Sequence, residues 1–205
     1  MNKPYQVGLT ISHHEKGIPY GGYRNGETNE DGSAKNRGFK NLKGRLNLLD
    51  EVPELLENPA LYELVAAINQ PDNGLVSVGC AGWNMSDTNG HRWQGYIEFA
   101  INSSETITDA RCYFPMFFLF DQMLHENGFD QPVNYNWELA GARFWPVNTT
   151  GFTCAVHVYT PFAPSIPEAK GMWQQALDPL IAFLGDFPMQ EGTPLFTADT
   201  DCELR

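Results

Sequence analysis

The chain has 205 residues, of which 42% are hydrophobic and 13% aromatic, so it can fold as one domain with a full core and is not disordered throughout. Its formal net charge is -12, yet residues 1–45 carry eight Lys and Arg against four Asp and Glu, and residues 46–205 carry five against 21. An acidic body repels nucleic acid and anionic membranes and attracts basic protein surfaces. The chain shows no signal-peptide pattern and no apolar run of membrane-spanning length, so we expect a cytoplasmic protein.

The first predicted element is a strand, because the sequence YQVGLTIS alternates apolar and polar residues. Residues 13–45 follow, rich in Gly, Asn and charge and without periodicity, and we predict a long flexible loop there. The glycines lack the Lys-Ser/Thr ending of a phosphate-binding loop and are not followed by a helix pattern. A connecting loop is therefore favoured over a phosphate site.

Helical signals begin after this loop. DEVPELLEN predicts a short turn or helix, and Asn58-Pro59 predicts an N-cap followed by a first-turn proline. The helix that they open carries an apolar stripe that we expect to face the core, made of Leu61, Leu64, Val65 and Ile68.

A hairpin and a helix are predicted next. The segments 75–83 and 92–102 read as two strands joined by the polar loop NMSDTNGH. The run ARCYFPMFFLFDQMLHENG then predicts a helix with Pro115 in its first turns and Gly128 after its end. Because this run is apolar almost all round, we expect the helix to be largely buried.

The same pattern recurs about 57 residues later in the chain. VNYNWELAGARFW and FTCAVHVYT predict a second hairpin, joined by the turn PVNTTG. Ser165 and Glu168 form a capping box before a helix that we expect Asp178-Pro179 to kink or restart. Residues 188–205 are predicted to be a polar C-terminal tail.

The predicted fold class is therefore α+β in a single domain spanning residues 1–205. Two hairpin-helix units would supply an antiparallel sheet of four to five strands, with helices packed mainly on one face. The opposite face of such a sheet is free to bind a partner.

No arrangement of residues in the sequence names a reaction. Adjacent residues His13 and His14 point to opposite sides of an extended chain, so they are poorly placed to share a metal. Cys154 alternates with His157 across a predicted strand, which is typical of a core cysteine. Glu98 and Glu138 lie on strands of different hairpins and form a catalytic pair only if they converge across the sheet. We therefore predict no catalytic residue, no metal site and no cofactor.

Aromatic residues near the hairpin strands are the stronger functional signal, because Trp and Tyr beside polar residues are common at protein interfaces. Four tryptophans lie near the ends of the hairpin strands: Trp83, Trp93, Trp137 and Trp145. We expect at least two of them to belong to the core. The predicted partner-binding residues are Trp83, Asp87, Arg92, Asp130, Trp137 and Glu138.

In overall type, the acidic segment DEVPELLENPALYEL and the Trp-rich, two-hairpin α+β body resemble the immunity proteins of bacterial polymorphic and type VI secretion toxins. The resemblance implies a monomeric or homodimeric inhibitor of a cognate toxin, most simply a nuclease with a basic surface. Two alternatives stay open. One is a small hydrolase with residues 13–45 as an active-site lid holding His13, His14, Tyr20 and Arg24. The other is a binding protein of a phage or plasmid anti-defence system.

Overall fold

A computed structural model describes residues 3–18 and 39–200 of the chain. The strands are Gln6–Ile11 (β1), Lys16–Ile18 (β2), Leu75–Asp87 (β3), Gly90–Ile101 (β4), Asn134–Phe144 (β5) and Thr149–Tyr159 (β6). The α-helices are Pro53–Leu56 (α1), Pro59–Ile68 (α2), Phe114–Glu126 (α3) and Ile166–Leu184 (α4). Short 3₁₀ turns lie at Leu46–Glu51, Thr106–Thr108, Ala110–Cys112 and Trp145–Val147.

The strands form one mixed sheet in the order β1-β5-β6-β4-β3, with β2 also paired to β5. The hairpins β3–β4 and β5–β6 are antiparallel, as is the central pair β4–β6, whereas β1 and β2 run parallel to β5. The predicted α+β class is confirmed. The sheet has six strands, because the N-terminal segment adds two short parallel strands to the edge of β5.

The N-terminal segment corrects part of the predicted loop. β1 pairs with β5 from Asn134 to Leu139 and β2 resumes the pairing at Ala142. Four residues of the N-terminal segment, 12–15, therefore lie opposite only two of β5, 140 and 141, and form a bulge. Residues 41–43 are buried against the body. The predicted loop 13–45 is therefore structured at both ends, and its central part, residues 19–38, lies outside the described residues.

The first hairpin is longer than the sequence pattern predicts. The predicted eight-residue loop NMSDTNGH belongs mostly to the strands, which remain paired as far as Asp87 and Gly90. Thr88 and Asn89 alone form the turn, and Gly90 follows with a φ of +120° that favours glycine. The prediction was wrong because backbone pairing continues where the side chains become polar and exposed.

Local capping signals were confirmed at two helices. The side chain of Asn58 accepts a hydrogen bond from the Leu61 N–H at the start of α2, with Pro59 in the first turn. Ser165 accepts from the Glu168 N–H at the start of α4. α4 runs through Pro179 as one continuous helix, so this proline does not restart it.

α3 is less buried than predicted. Its buried residues are Met116, Phe120 and Leu124, whereas Phe118 and Leu119 are 65% and 53% exposed. The helix packs on one side only, so its apolar character all round does not produce all-round burial. Gly128 follows the helix with a φ of +65°, as its predicted place after the helix end requires.

The main core lies between one face of the sheet and α2, α3 and α4. Aromatic rings occupy its centre: Phe120 lies 5.0 Å from Tyr135 and 5.5 Å from Trp137, measured between ring centroids. Trp137 also meets Phe99 edge-on at 6.2 Å. Such offset and edge contacts add to the stabilisation that burial of these rings supplies.

The C-terminal segment is not a free polar tail. Leu195 and Phe196 are buried, in a smaller core that also contains Val76 and Phe144. Phe196 is held by a reciprocal pair of hydrogen bonds with the Asn102 side chain, both 2.9 Å long. The segment thereby covers one end of the sheet face that the helices leave open. Residues 201–205 of the predicted tail lie outside the described residues.

Candidate binding face of the sheet

We call the sheet surface opposite the helices, beyond the part covered by Leu195 and Phe196, the open face. Strand register places its side chains in rows that cross the sheet. One row contains Trp83, Gln94, Tyr159 and Asn134. The next row contains Tyr96, His157 and Asn136, and the third contains Glu98, Ala155 and Glu138. Residues from four strands are thus assembled into one surface.

Three of the predicted partner-binding residues share this face. Trp83 is 44% exposed, Arg92 is half-buried opposite Met85, and Glu138 lies in the third row. Asp87 is exposed at the tip of the same hairpin, beside the turn. The structure brings these four predicted residues to one side of the molecule.

The other two predicted residues do not belong to this surface. Trp137 is only 1% exposed, because it points toward the helices and packs on Phe99 and Phe120. A partner cannot touch it in this structure, so its prediction as a contact residue is corrected: it is a core residue. Asp130 is exposed but lies in the loop after α3, beside α4.

The hairpin end of the open face has the composition of an interaction hot spot. The Arg92 guanidinium lies over the Phe162 ring at 4.8 Å from the centroid, and its Nη2 contacts the Met85 sulfur at 3.6 Å. Stacking fixes the plane of the guanidinium. Within the described chain, Arg92 Nε and Gln94 Oε1 are buried without a hydrogen-bond partner. Buried polar atoms of this kind are costly unless something else satisfies them.

The centre of the open face carries one ion pair and one contact between a histidine and a carboxylate. Lys16 on β2 reaches Glu98 on β4 at 2.9 Å, and the Thr153 hydroxyl donates to the same carboxylate oxygen at 2.7 Å. His157 Nε2 lies 3.5 Å from Glu138 Oε2, and the His157 ring packs 5.5 Å from Tyr96. Burial, assisted by the negative charge of Glu98, raises the pKa of Tyr96. These contacts hold the face in a fixed polar arrangement.

Glu98 and Glu138 lie in the same row of the open face, on the strands that flank β6. Both lie opposite Ala155 on either side of β6, so their backbones are two strand spacings, about 9.6 Å, apart. Each carboxylate is engaged by its own partner, Lys16 or His157. Each carboxylate thus contacts a residue other than the second carboxylate.

The described basic residues of the N-terminal segment all have partners elsewhere in the chain. Lys3 pairs with Asp121 at 2.6 Å and Lys40 with Glu51 at 2.5 Å, in addition to the Lys16–Glu98 pair. Lys43 is buried among backbone carbonyls, and Arg45 Nε donates to the Ala198 carbonyl. All five described cations of residues 1–45 are therefore engaged by the body. Arg24, Lys35 and Arg37 lie outside the described residues.

The bulge at residues 12–15 borders a second concave region. His13, His14 and Glu15 line an open cleft of about 590 Å³ together with Thr108, Gly141 and Phe152. Within the described chain, no three His, Cys, Asp or Glu side chains are grouped so that they could hold a metal ion. Tyr20 and Arg24, the other residues of the predicted lid, lie outside the described residues.

The described cysteines have the character of packing residues. Cys154 is buried on the helix side of β6, as predicted, and burial raises the pKa of its thiol. Burial also raises the pKa of Cys80 to about 12. Thiols with raised pKa values are weak nucleophiles at neutral pH, because the reactive thiolate is scarce.

Sequence reasoning did not name Gln94, Tyr159 and His157 as binding residues. Alternation along each strand gives the side on which a residue lies, but only the pairing register shows that Trp83, Gln94 and Tyr159 are neighbours. The hydrogen bonds from Lys43 to carbonyls of residues 70–75 were also missed, because these acceptors are distant from Lys43 in the sequence.

Comparisons with known proteins add no relative: the chain matches no protein-family model, no curated protein and no solved structure. Among the helices in the described parts of the chain, none has the length and apolar character required to cross a membrane.

Proposed function

We propose that this chain is a cytoplasmic immunity protein that binds a basic protein toxin, such as a nuclease, through the open face of its sheet. The observation that carries the proposal is the grouping of Trp83, Met85, Arg92 and Tyr159 around Gln94, whose buried Oε1 has no hydrogen-bond partner among the described residues. Trp, Tyr and Arg are the residues most enriched among interface hot spots. The five described cations of residues 1–45 each contact an acidic side chain or backbone carbonyls of this chain, and the net charge of -12 supports attraction of a basic partner.

The first experiment is co-expression with toxin domains encoded next to the gene, scored by restored growth and by a stable complex on size-exclusion chromatography. For the partner that binds, we expect Trp83→Ala and Arg92→Ala each to weaken affinity about 30-fold or more, as hot-spot truncations do. Failure of every neighbouring toxin to bind, together with turnover of a small molecule by the chain, would refute the proposal.

The chain offers a matched control for these variants. Trp145 is 51% exposed and stacks with Arg143 at 4.2 Å, so it reproduces the Trp and Arg character of the hot spot away from the rows of the open face. Trp145→Ala should leave affinity within about threefold of the wild type. Equal losses of affinity in Trp83→Ala and Trp145→Ala would show that binding depends on nonspecific hydrophobic contact and not on the open face.

Charge should act on association more than on dissociation. Reversing Asp87 at the hairpin tip, or Glu138 in the third row, is expected to slow association, and added salt should reduce that effect. Stopped-flow fluorescence at two salt concentrations measures both rates. An association rate that neither variant nor salt changes would contradict electrostatic attraction of a basic partner.

A small hydrolase is the second candidate, and the cleft beside His13 and His14 is the observation that favours it. Loss of a hydrolytic activity in His13→Ala or His14→Ala, with toxin binding unchanged, would support this candidate. An anti-defence role would use the open face in the same way with a different partner, which the identity of the co-purified protein would reveal.

A further inference from the structure

The helical layer contains a groove that the open face does not use. It has a volume of about 390 Å³ and lies between the C-terminal half of α3, the loop after it and the middle of α4. Its apolar wall includes Met123, Leu124, Phe129 and Pro179. The groove is on the opposite side of the sheet from Trp83, so one compact partner contact cannot fill both.

Two carboxylates border the groove. Asp130 and Asp178 are both exposed, and no Lys or Arg belongs to its lining. Gln131 Nε2 donates to Asp130 Oδ1 and Gln174 Nε2 to Asp178 Oδ1, each at 2.8 Å. Within the described chain, the second oxygen of each carboxylate makes no hydrogen bond, so each retains an acceptor for a ligand.

A third acceptor comes from the backbone of α4. Pro179 lies inside this helix and has no N–H, so the carbonyl of Gln175, four residues earlier, lacks its usual helical donor. Gln175 belongs to the groove lining. The groove thus combines two carboxylates that each keep one oxygen without a hydrogen bond, an apolar wall, and the lining residue Gln175, whose carbonyl lacks its helical N–H partner.

We propose that this groove binds an arginine side chain presented by an extended basic segment of another protein. A guanidinium supplies five N–H donors in a planar fork, which suits several acceptors around one cavity. The aliphatic stem of the arginine would pack on Met123 and Phe129, and the net charge of -12 favours a cationic occupant. Lysine, a point charge with three donors, fits this acceptor set less well.

The test uses the full chain and a fluorescein-labelled peptide of sequence Gly-Ser-Arg-Gly-Arg-Gly, followed by fluorescence polarisation. We expect saturable binding that Asp130→Asn and Asp178→Asn each weaken about three- to tenfold. Glu63→Gln removes an equally exposed carboxylate from α2, away from the groove, and should change affinity by less than about twofold. The same peptide with lysines should bind about threefold more weakly.

Two further variants separate the groove from general acidity. Ala182→Phe fills the groove from its exposed rim and should abolish saturable binding. Pro179→Ala restores the missing N–H, so it should weaken binding about threefold while α4 becomes no less stable in urea unfolding. Non-saturable binding of the arginine peptide, equal losses in Glu63→Gln and Asp178→Asn, or unchanged affinity in Ala182→Phe would each overturn the proposal.

This inference is independent of the proposed function. Trp83→Ala should leave peptide binding intact, whereas Ala182→Phe should leave the toxin-binding open face intact. Failure of toxin neutralisation with intact peptide binding, or the reverse, therefore identifies which of the two surfaces was assigned wrongly.

Discussion

Replacing Lys43 by methionine should destabilise the protein strongly, although this residue lies in a segment whose sequence predicts a loop. Lys43 is 2% exposed, and its Nζ donates to the carbonyls of Gln70 at 2.6 Å, Leu75 at 2.8 Å and Asn73. Methionine keeps the apolar stem but removes every donor. The carbonyls it abandons are at the end of α2 and the start of β3, where water has little access.

The magnitude follows from the hydrogen bonds lost. Each buried acceptor left unsatisfied costs about 1–3 kcal/mol, and the return of a lysine's desolvation cost offsets part of the sum. A net loss of about 3 kcal/mol is expected, a large share of the 5–15 kcal/mol typical of a domain. Urea unfolding followed by tryptophan fluorescence should show a midpoint lower by about 1–2 M.

Lys40→Met is the matched control, because Lys40 is a lysine of the same segment that pairs with Glu51 at the surface. An exposed ion pair contributes at most about 1 kcal/mol, so this variant should unfold near the wild-type midpoint. If Lys43→Met costs no more than Lys40→Met, the carbonyl contacts of Lys43 do not stabilise the fold and the reasoning is refuted.

The pH dependence provides a second check on Lys43. Burial lowers the pKa of its ammonium to about 8 from 10.5. Between these two values the unfolded chain binds more protons than the folded protein, so the free energy of unfolding rises with pH in that interval. The stability difference between wild type and Lys43→Met should therefore be constant below about pH 8 and grow toward pH 10. A difference that shrinks at pH 9.5 would mean that the carbonyls favour the charged amine more than burial disfavours it.

Three further substitutions test the fold around the two surfaces. Lys16→Met should lower the free energy of unfolding by about 3 kcal/mol, because it leaves the Glu98 carboxylate, whose side chain is 7% exposed, without its cation. Adding Glu98→Gln should recover most of that loss, as measured by urea unfolding. Asn58→Ala should lower the free energy of unfolding by about 2 kcal/mol, because it removes the α2 cap and the acceptor for Trp173 Nε1 at 2.9 Å. Circular dichroism during thermal unfolding measures this loss, with Asn84→Ala as the control. Phe196→Ala should cost about 3–5 kcal/mol by emptying the smaller core, whereas Met189→Ala, at a residue 47% exposed, should be nearly neutral; calorimetry that ranks them equally would contradict burial of the C-terminal segment.

The sequence predicted those features that depend on near neighbours in the chain. Asn58 caps a helix three residues away and Ser165 does the same, so a short pattern contains both partners. Strand alternation was equally informative: Tyr135, Trp137 and Leu139 face the core as their spacing predicts. The same alternation is inconsistent with the prediction that both Trp137 and Glu138 contact a partner, because adjacent strand residues point to opposite faces.

The features that sequence reasoning missed depend on residues far apart in the chain. The carbonyls that accept from Lys43 lie about 30 residues later in the chain, and the Asn102 that binds Phe196 lies 94 residues before it. Neither pairing has a local pattern, and the polar composition of each segment predicts exposure instead. The row of Trp83, Gln94 and Tyr159 on the open face likewise depends on the pairing register of β3, β4 and β6. Hydrophobic periodicity within one strand does not specify how that strand is aligned with its neighbours.

The distribution of charge suggests different roles for the acidic body and the open face in the proposed binding of a basic partner. Residues 46–91 contain seven acidic and no basic side chains, among them the exposed Asp50, Glu57 and Glu63. The open face, by contrast, presents Arg92 in addition to its carboxylates and is not simply acidic. A basic partner would be attracted by the field of the whole body, which salt screens, and would be held by close contacts with Trp83 and Arg92, which salt affects little. In the proposed complex, a face of mixed charge on an acidic body would favour a particular partner over basic surfaces in general, because repulsion from Arg92 would penalise any cation placed against it.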